Sequence, residues 1–203
     1  MTSRRQLIAS SAALATTAWV APSVIALDRI AAASPSDSCE IPEVFDGAVY
    51  LDPPPTDLSI GGPLDSNDNT WVFMETTMPV TITADLTVDR TTAGNFNGNS
   101  NQNATIPAGT TICSYLVHGD RLDNSGQLTG GLRFANSTII GLIYEDATFN
   151  ASSFLQAPGT TYVNGPMEGG DLMSLDLTPG ANTLTWEMTF GPVLDQIRVI
   201  TTC

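Results

Sequence analysis

The chain has one histidine, His118, with Ser114 four residues before it and Asp120 two after. A nucleophile, a base and an orienting carboxylate are the parts of an acyl-transfer triad. The spacing argues against that use. Thr110–His118 (TTICSYLVH) reads as one strand, which at ~3.3 Å per residue sets Ser114 and His118 roughly 13 Å apart, whereas a triad needs about 3 Å. There is also no G-x-S-x-G. His118 is read instead as a strand-end residue that lines a binding surface or bonds to a neighbouring loop, and no catalytic residue is assigned.

Paired carboxylates could hydrolyse a glycoside if two faced each other across a cleft at ~5–10 Å. Glu75, Glu145, Asp146 and Glu187 are available, and their convergence is a matter for the fold. Oxygen ligands cluster in Asp65-Ser66-Asn67-Asp68-Asn69 and again at Asp120, Asp123 and Asn124. Calcium takes six to eight such oxygens. Asp65, Asn67, Asp68, Asn69, Asp120 and Asp123 are therefore candidate ligands of a structural calcium, beside a reading as solvated turns. The first segment lacks the glycine and distal glutamate of an EF-hand loop. Trp71, Tyr115 and Tyr162, if exposed amid Asn and Asp, would suit a neutral carbohydrate, whose ring faces and hydroxyls both need partners.

Three cysteines, Cys39, Cys113 and Cys203, fit one disulfide and one free thiol. A Cys39–Cys203 bridge would staple two distant ends of the chain, and termini are often close. The alternative pairs Cys113, in mid-strand, with one of them. No C-x-x-C or Cys/His spacing points to zinc.

The elements that must position these residues are strands. Thr110–His118, Gln127–Phe134 and Thr138–Tyr144 carry apolar residues at a period of two, and are read as the middle of a β-sandwich. Val80–Val88 alternates as a half-buried strand. Asp171–Leu177 and Leu184–Phe190 form a hairpin, with Leu184, Trp186, Met188 and Phe190 on one side. Asp195–Thr202 closes the chain. Ala151–Leu155 carries a short helical turn. Gly94–Asn103 reads as a polar loop. Residues 34–69 read as an irregular Pro- and Asp-rich lead-in, with an edge strand within Glu43–Leu51. The expectation is an all-β, antiparallel, jelly-roll-like sandwich over 70–203.

Residues 1–33 have a basic start, an apolar middle and an A-x-A exit, the pattern of a helical export signal. Ser3-Arg4-Arg5-Gln6-Leu7-Ile8 resembles the twin-arginine motif. This implies a bacterial, secreted protein with no stable membrane span once the signal is removed. The 203 residues carry a net charge of −14. From Ser34 onward 20 acids face four arginines and no lysine, a net −16. Such a surface repels phosphate backbones and anionic lipid, which excludes nucleic acid as a partner.

Ser114-Tyr115-Leu116-Val117-His118-Gly119-Asp120, then Leu128-Thr129-Gly130, Ile140-Gly141-Leu142-Ile143, Ala157-Pro158-Gly159-Thr160-Thr161-Tyr162 and Asp195-Gln196-Ile197-Arg198-Val199-Ile200-Thr201 resemble an uncharacterised family of secreted bacterial β-sandwich proteins. The closing D-Q-I-R-V-I-T is also similar to the last strand of jelly-roll carbohydrate-binding modules. The resemblance implies fold and export and carries no activity. The functional expectation is a non-catalytic extracellular or cell-surface binding module for carbohydrate. The alternatives are a structural component of an extracellular layer and a carboxylate-dependent glycoside hydrolase.

Overall fold

The computed structural model describes residues 38–122, 126–163, 167–168, 171–189 and 194–203, so the export signal lies outside the described residues. One sheet has five strands in the order β1 (Glu43–Phe45), β9 (Gln127–Arg133), β13 (Thr183–Thr189), β12 (Leu172–Asp176) and β6 (Gly94–Phe96). The other runs β10 (Ile139–Ile143), β14 (Leu194–Thr202), β8 (Thr111–Gly119), β3 (Thr70–Met74) and β2 (Ala48–Leu51). Two short strands flank it: β4 (Val80–Thr81) pairs with β8, and β11 (Met167–Glu168) with β14. The result is the expected all-β sandwich.

Alternation builds the interior. Val72 and Met74 of β3, Tyr115 and Val117 of β8, and Ile197 and Val199 of β14 meet Leu128 and Leu132 of β9, Met173 and Leu175 of β12, and Leu184, Trp186 and Met188 of β13. Trp186 fits because its register partner is Gly130, where a β-carbon would lie 2.5 Å from the indole.

A second core lies on the opposite face of the β8 sheet. Phe73, Leu116, Ile143 and Ile200 pack there against Leu58, Leu86, Val88, Ile106, Phe149 and Leu155. These come from the 52–69 crossover, the ribbon of β5 (Leu86–Val88) with β7 (Ala104–Ile106), helix α1 (Asp146–Ala151) and a 3-10 turn, Ser153–Leu155. The β8 sheet is thus covered on both faces. This is why β8 and β14 are buried at almost every position while β12 and β13 alternate.

Several expectations need correction. Val80–Val88 is two strands, β4 and β5, separated by exposed Thr83–Asp85. Its Ile82, Leu86 and Val88 are buried, but in the second core. The polar tract 94–103 begins with β6, whose Phe96 enters the main core. The lead-in supplies both β1 and β2. The chain changes sheet between them at Asp46-Gly47, both at positive φ. A β-carbon on Gly47 would lie 2.8 Å from the Thr129 carbonyl oxygen. Two ladders, β2–β3 and β11–β14, are parallel. The hairpin of β12 and β13 stands as read, and the expected Ala151–Leu155 turn is the 3-10 turn Ser153–Leu155, preceded by helix α1, which the sequence reading left out.

The disulfide joins Cys39 to Cys113, not to Cys203. Cys113 points inward from β8 into the main core, and Cys39 enters that core just before β1, with 5.7 Å between their Cα atoms.

Candidate functional site

Glu75, just past β3, and Arg198 of β14 stand on the covered face of the β8 sheet, both essentially inaccessible. Arg198 Nε donates to Glu75 Oε2 at 2.6 Å and Nη2 to Oε1 at 2.8 Å, a bidentate pair. Ser114 Oγ, on β8 between them, donates to Oε2 at 2.6 Å, and the Tyr162 hydroxyl donates to Oε1 at 2.9 Å. Arg198 Nη1 donates to the Phe149 and Ser152 carbonyls at 3.2 and 3.3 Å, and its guanidinium lies 4.1 Å over the Phe149 ring. Every charged atom here has a partner, as burial requires. The network pins α1 and the 3-10 turn to the sheet. Glu75 and Ser114 are thus both tied into the buried pair, and Tyr162 is a clamp on Glu75 rather than an exposed ring. Burial, then the Glu75 charge, pushes the Tyr162 hydroxyl well above the usual tyrosine range.

Asp89 plays a similar part under the ribbon. Its Oδ2 accepts the Tyr144 and Glu145 N–H groups at 2.6 and 2.9 Å, and Oδ1 accepts from Thr148 Oγ1 at 2.7 Å. It thereby ties the residues leading into α1 to the helix's first turn.

Of the other sequence candidates, Trp71, His118 and Asp120 lie at the His118 end of the sheet, and Tyr115 faces the main core. Trp71, His118 and Gln196 form one row across β3, β8 and β14. The Gln196 side-chain amide and His118 Nδ1 share a hydrogen bond at 2.9 Å. Burial lowers the imidazole pKa to about 4. The Trp71 indole N–H donates to the Leu64 carbonyl at 2.5 Å, and Tyr115, inside the main core, donates its hydroxyl to the Glu40 carbonyl at 2.6 Å. Trp71, Tyr115, His118 and Tyr162 thus form no exposed platform. Neither Ser114 nor Asp120 bonds to His118.

Of the calcium candidates, the fold brings Asp65 and Asp120 together. Asp120 Oδ2 accepts the Gly61 N–H at 3.0 Å. Burial and the Asp65 carboxyl raise the Asp120 pKa to about 6. Asp65 Oδ1 is buried without a hydrogen-bond partner. The backbone around the others is held by local bonds. The Asp68 and Asn69 N–H groups bond to Ser66 Oγ, the Asn67 carbonyl accepts from Arg121, and Asp123 lies outside the described residues. Of the candidate ligands, the fold thus pairs two carboxyls, fewer oxygens than the six to eight of a calcium shell.

What the sequence reading missed is the outer face of the five-stranded sheet. A groove of about 340 Å³ crosses it, lined by Asn95, Thr129, Leu172, Ser174, Thr185 and Glu187. Leu172 is 52% exposed. The half-buried Phe45 ring lies over Gly131, the register partner of Thr185, where a β-carbon would sit 2.2 Å from the ring. Asn95, Ser174 and Thr185 make no side-chain hydrogen bond among the described residues, whereas Glu187 accepts from Gln127 at 2.8 Å. One row thus runs Phe45, Gly131, Thr185, Ser174, Asn95 across the sheet, with Leu172 in the adjacent row on β12. The alternation of Thr183, Thr185, Glu187 and Thr189 was a visible signal for this face, but it looks the same for any solvated strand.

Compared with known proteins, the chain matches no family model, no curated protein and no solved structure.

Proposed function

We propose that this is an extracellular, non-catalytic binding module that takes a neutral, hydroxyl-rich ligand of the carbohydrate class on the open face of its five-stranded sheet. One observation carries the reading. The outer face of the β8 sheet is roofed, whereas that of the five-stranded sheet keeps Thr185, Ser174 and Asn95, none with a side-chain hydrogen bond among the described residues, in one row with the Phe45 ring, and exposed Leu172 beside that row on β12. Sugars present apolar ring faces and hydroxyls together, and this face offers partners for both. The export-type leader and the disulfide accord with an oxidising compartment. The surface charge favours neutral over anionic ligands. Of the carboxylates weighed for a hydrolase, Glu75 is held in the buried pair and Glu187 accepts from Gln127.

Titration calorimetry and pull-down on neutral polysaccharides test the proposal. The expected result is binding that Thr185→Arg, which fills the groove, abolishes, and that Phe45→Ala weakens about tenfold. No binding to any neutral glycan, with concentration-dependent assembly in light scattering, would favour a structural layer component instead.

A further inference from the structure

We propose that the three cysteines form a thiol–disulfide exchange site, with Cys113 as the fixed partner on which Cys39 and Cys203 alternate. Three observations lead there. Cys39 is bonded to Cys113, while the free Cys203 Sγ lies 2.7 Å from Cys113 Sγ. All three sulfurs lie within 4.8 Å of one another. The strands hold them there: Thr201 of β14 is the register partner of Cys113 on β8, which brings Cys203 to the same rung region, while Cys39 enters from the opposite end of the chain.

The exchange is balanced without an oxidant. The Cys203 thiolate attacks Cys113 Sγ, the Cys113–Cys203 bond forms, the Cys39–Cys113 bond breaks, and Cys39 leaves as a thiolate that takes up the proton Cys203 gave away. One disulfide and one thiol exist before and after. The tether changes, however. In one state the segment entering β1 is bound to the centre of the covered sheet, and in the other the end of β14 is bound there. The released Cys39 stays beside Thr76 Oγ1, 3.9 Å from its sulfur. Cys203, partly exposed, carries a thiol pKa raised by burial, so the attacking thiolate is scarce near neutrality and the exchange is slow there.

The full chain tests this directly. Arg90, Arg121 and Arg198, in a chain with no lysine, place each cysteine on a separate tryptic peptide. The protein is held at about pH 9, above the ordinary thiol pKa, then acid-quenched, denatured and labelled with maleimide at intervals before peptide mass spectrometry. Label passing with time from Cys203 to Cys39, with Cys113 never labelled and a Cys113–Cys203 peptide pair appearing, is the expected result. Label confined to Cys203 throughout, or label on Cys113, overturns the proposal. Cys39→Ser, refolded in glutathione buffer, gives an independent check. It is expected to show a Cys113–Cys203 bridge and no free thiol, and two free thiols in the folded variant overturn the proposal equally.

Discussion

Arg133 meets Glu43 across β9 and β1 on the outer face of the five-stranded sheet, and Arg198 meets Glu75 on the outer face of its partner sheet. The residue types are the same. The exposed pair has side chains 48% and 60% accessible, and Arg133 spends both its contacts on one carboxylate oxygen. Water competes for every atom of it, and such pairs contribute ~0–1 kcal/mol. The buried pair is fully inaccessible, bidentate and held by Ser114, Tyr162 and Ser152. Its value depends on all partners being present, because removal of one strands a charge in the interior. The difference teaches how the two faces divide their tasks. One is committed to holding a roof, while the other faces solvent and is where we place the proposed ligand.

The comparison is broken most sharply at the buried pair. Arg198→Met leaves the Glu75 charge uncompensated and should cost ~3–5 kcal/mol, read as a fall in the urea midpoint. A loss under 1 kcal/mol would show that water reaches this face. Gly130→Val should cost ~1–3 kcal/mol by forcing Trp186 off its seat, with a change in tryptophan fluorescence.

Acid titration sharpens the picture of the covered face. His118, with a folded pKa of about 4 against 6.5 unfolded, resists protonation, so its contribution is lost as pH falls from 6.5 towards 4. Asp120, with a folded pKa of about 6 against 3.8, works the other way. It stabilises most below 3.8, and that stability is lost as pH rises through 6. The two legs oppose over almost the same window. Wild-type stability should therefore vary little between pH 4 and 6 on their account. Asp120→Asn should leave the His118 leg alone and make the fold acid-sensitive, as thermal melts at stepped pH would show.

The smallest effects belong to the open face. Glu43→Gln should cost under ~1 kcal/mol, and less in high salt. Thr185→Arg should shift stability by no more than ~0.5 kcal/mol while removing glycan binding. A large destabilisation by Thr185→Arg would mean that this face is packed and not open.

The sequence showed β8, β9, β10, β13 and β14 because their apolar residues recur at every second position. It left the surroundings of Ser114, His118, Gln196 and Arg198 open. These polar residues alternate with Tyr115, Val117, Ile197 and Val199, which is how a solvated face looks. The 52–69 crossover, the β5–β7 ribbon and α1 come from three distant parts of the chain, and together they convert that face into a second interior. The same roof turned Tyr162 inward and split Val80–Val88. β6 escaped notice because three residues, Gly94-Asn95-Phe96, carry too little pattern. The Cys39–Cys113 bond could not be chosen from spacing, since the fold brings all three sulfurs within reach of each other.

By itself, the order of apolar and polar residues determined an acidic, all-β, two-sheet body, because burying a side chain at every other position leaves a strand little else to become. Which face would be roofed, which carboxylate would be paired and which sulfur bonded were decided only by tertiary structure. Those outcomes depend on contacts between residues tens of positions apart, and one strand's alternation is the same whether the polar side meets water or a helix.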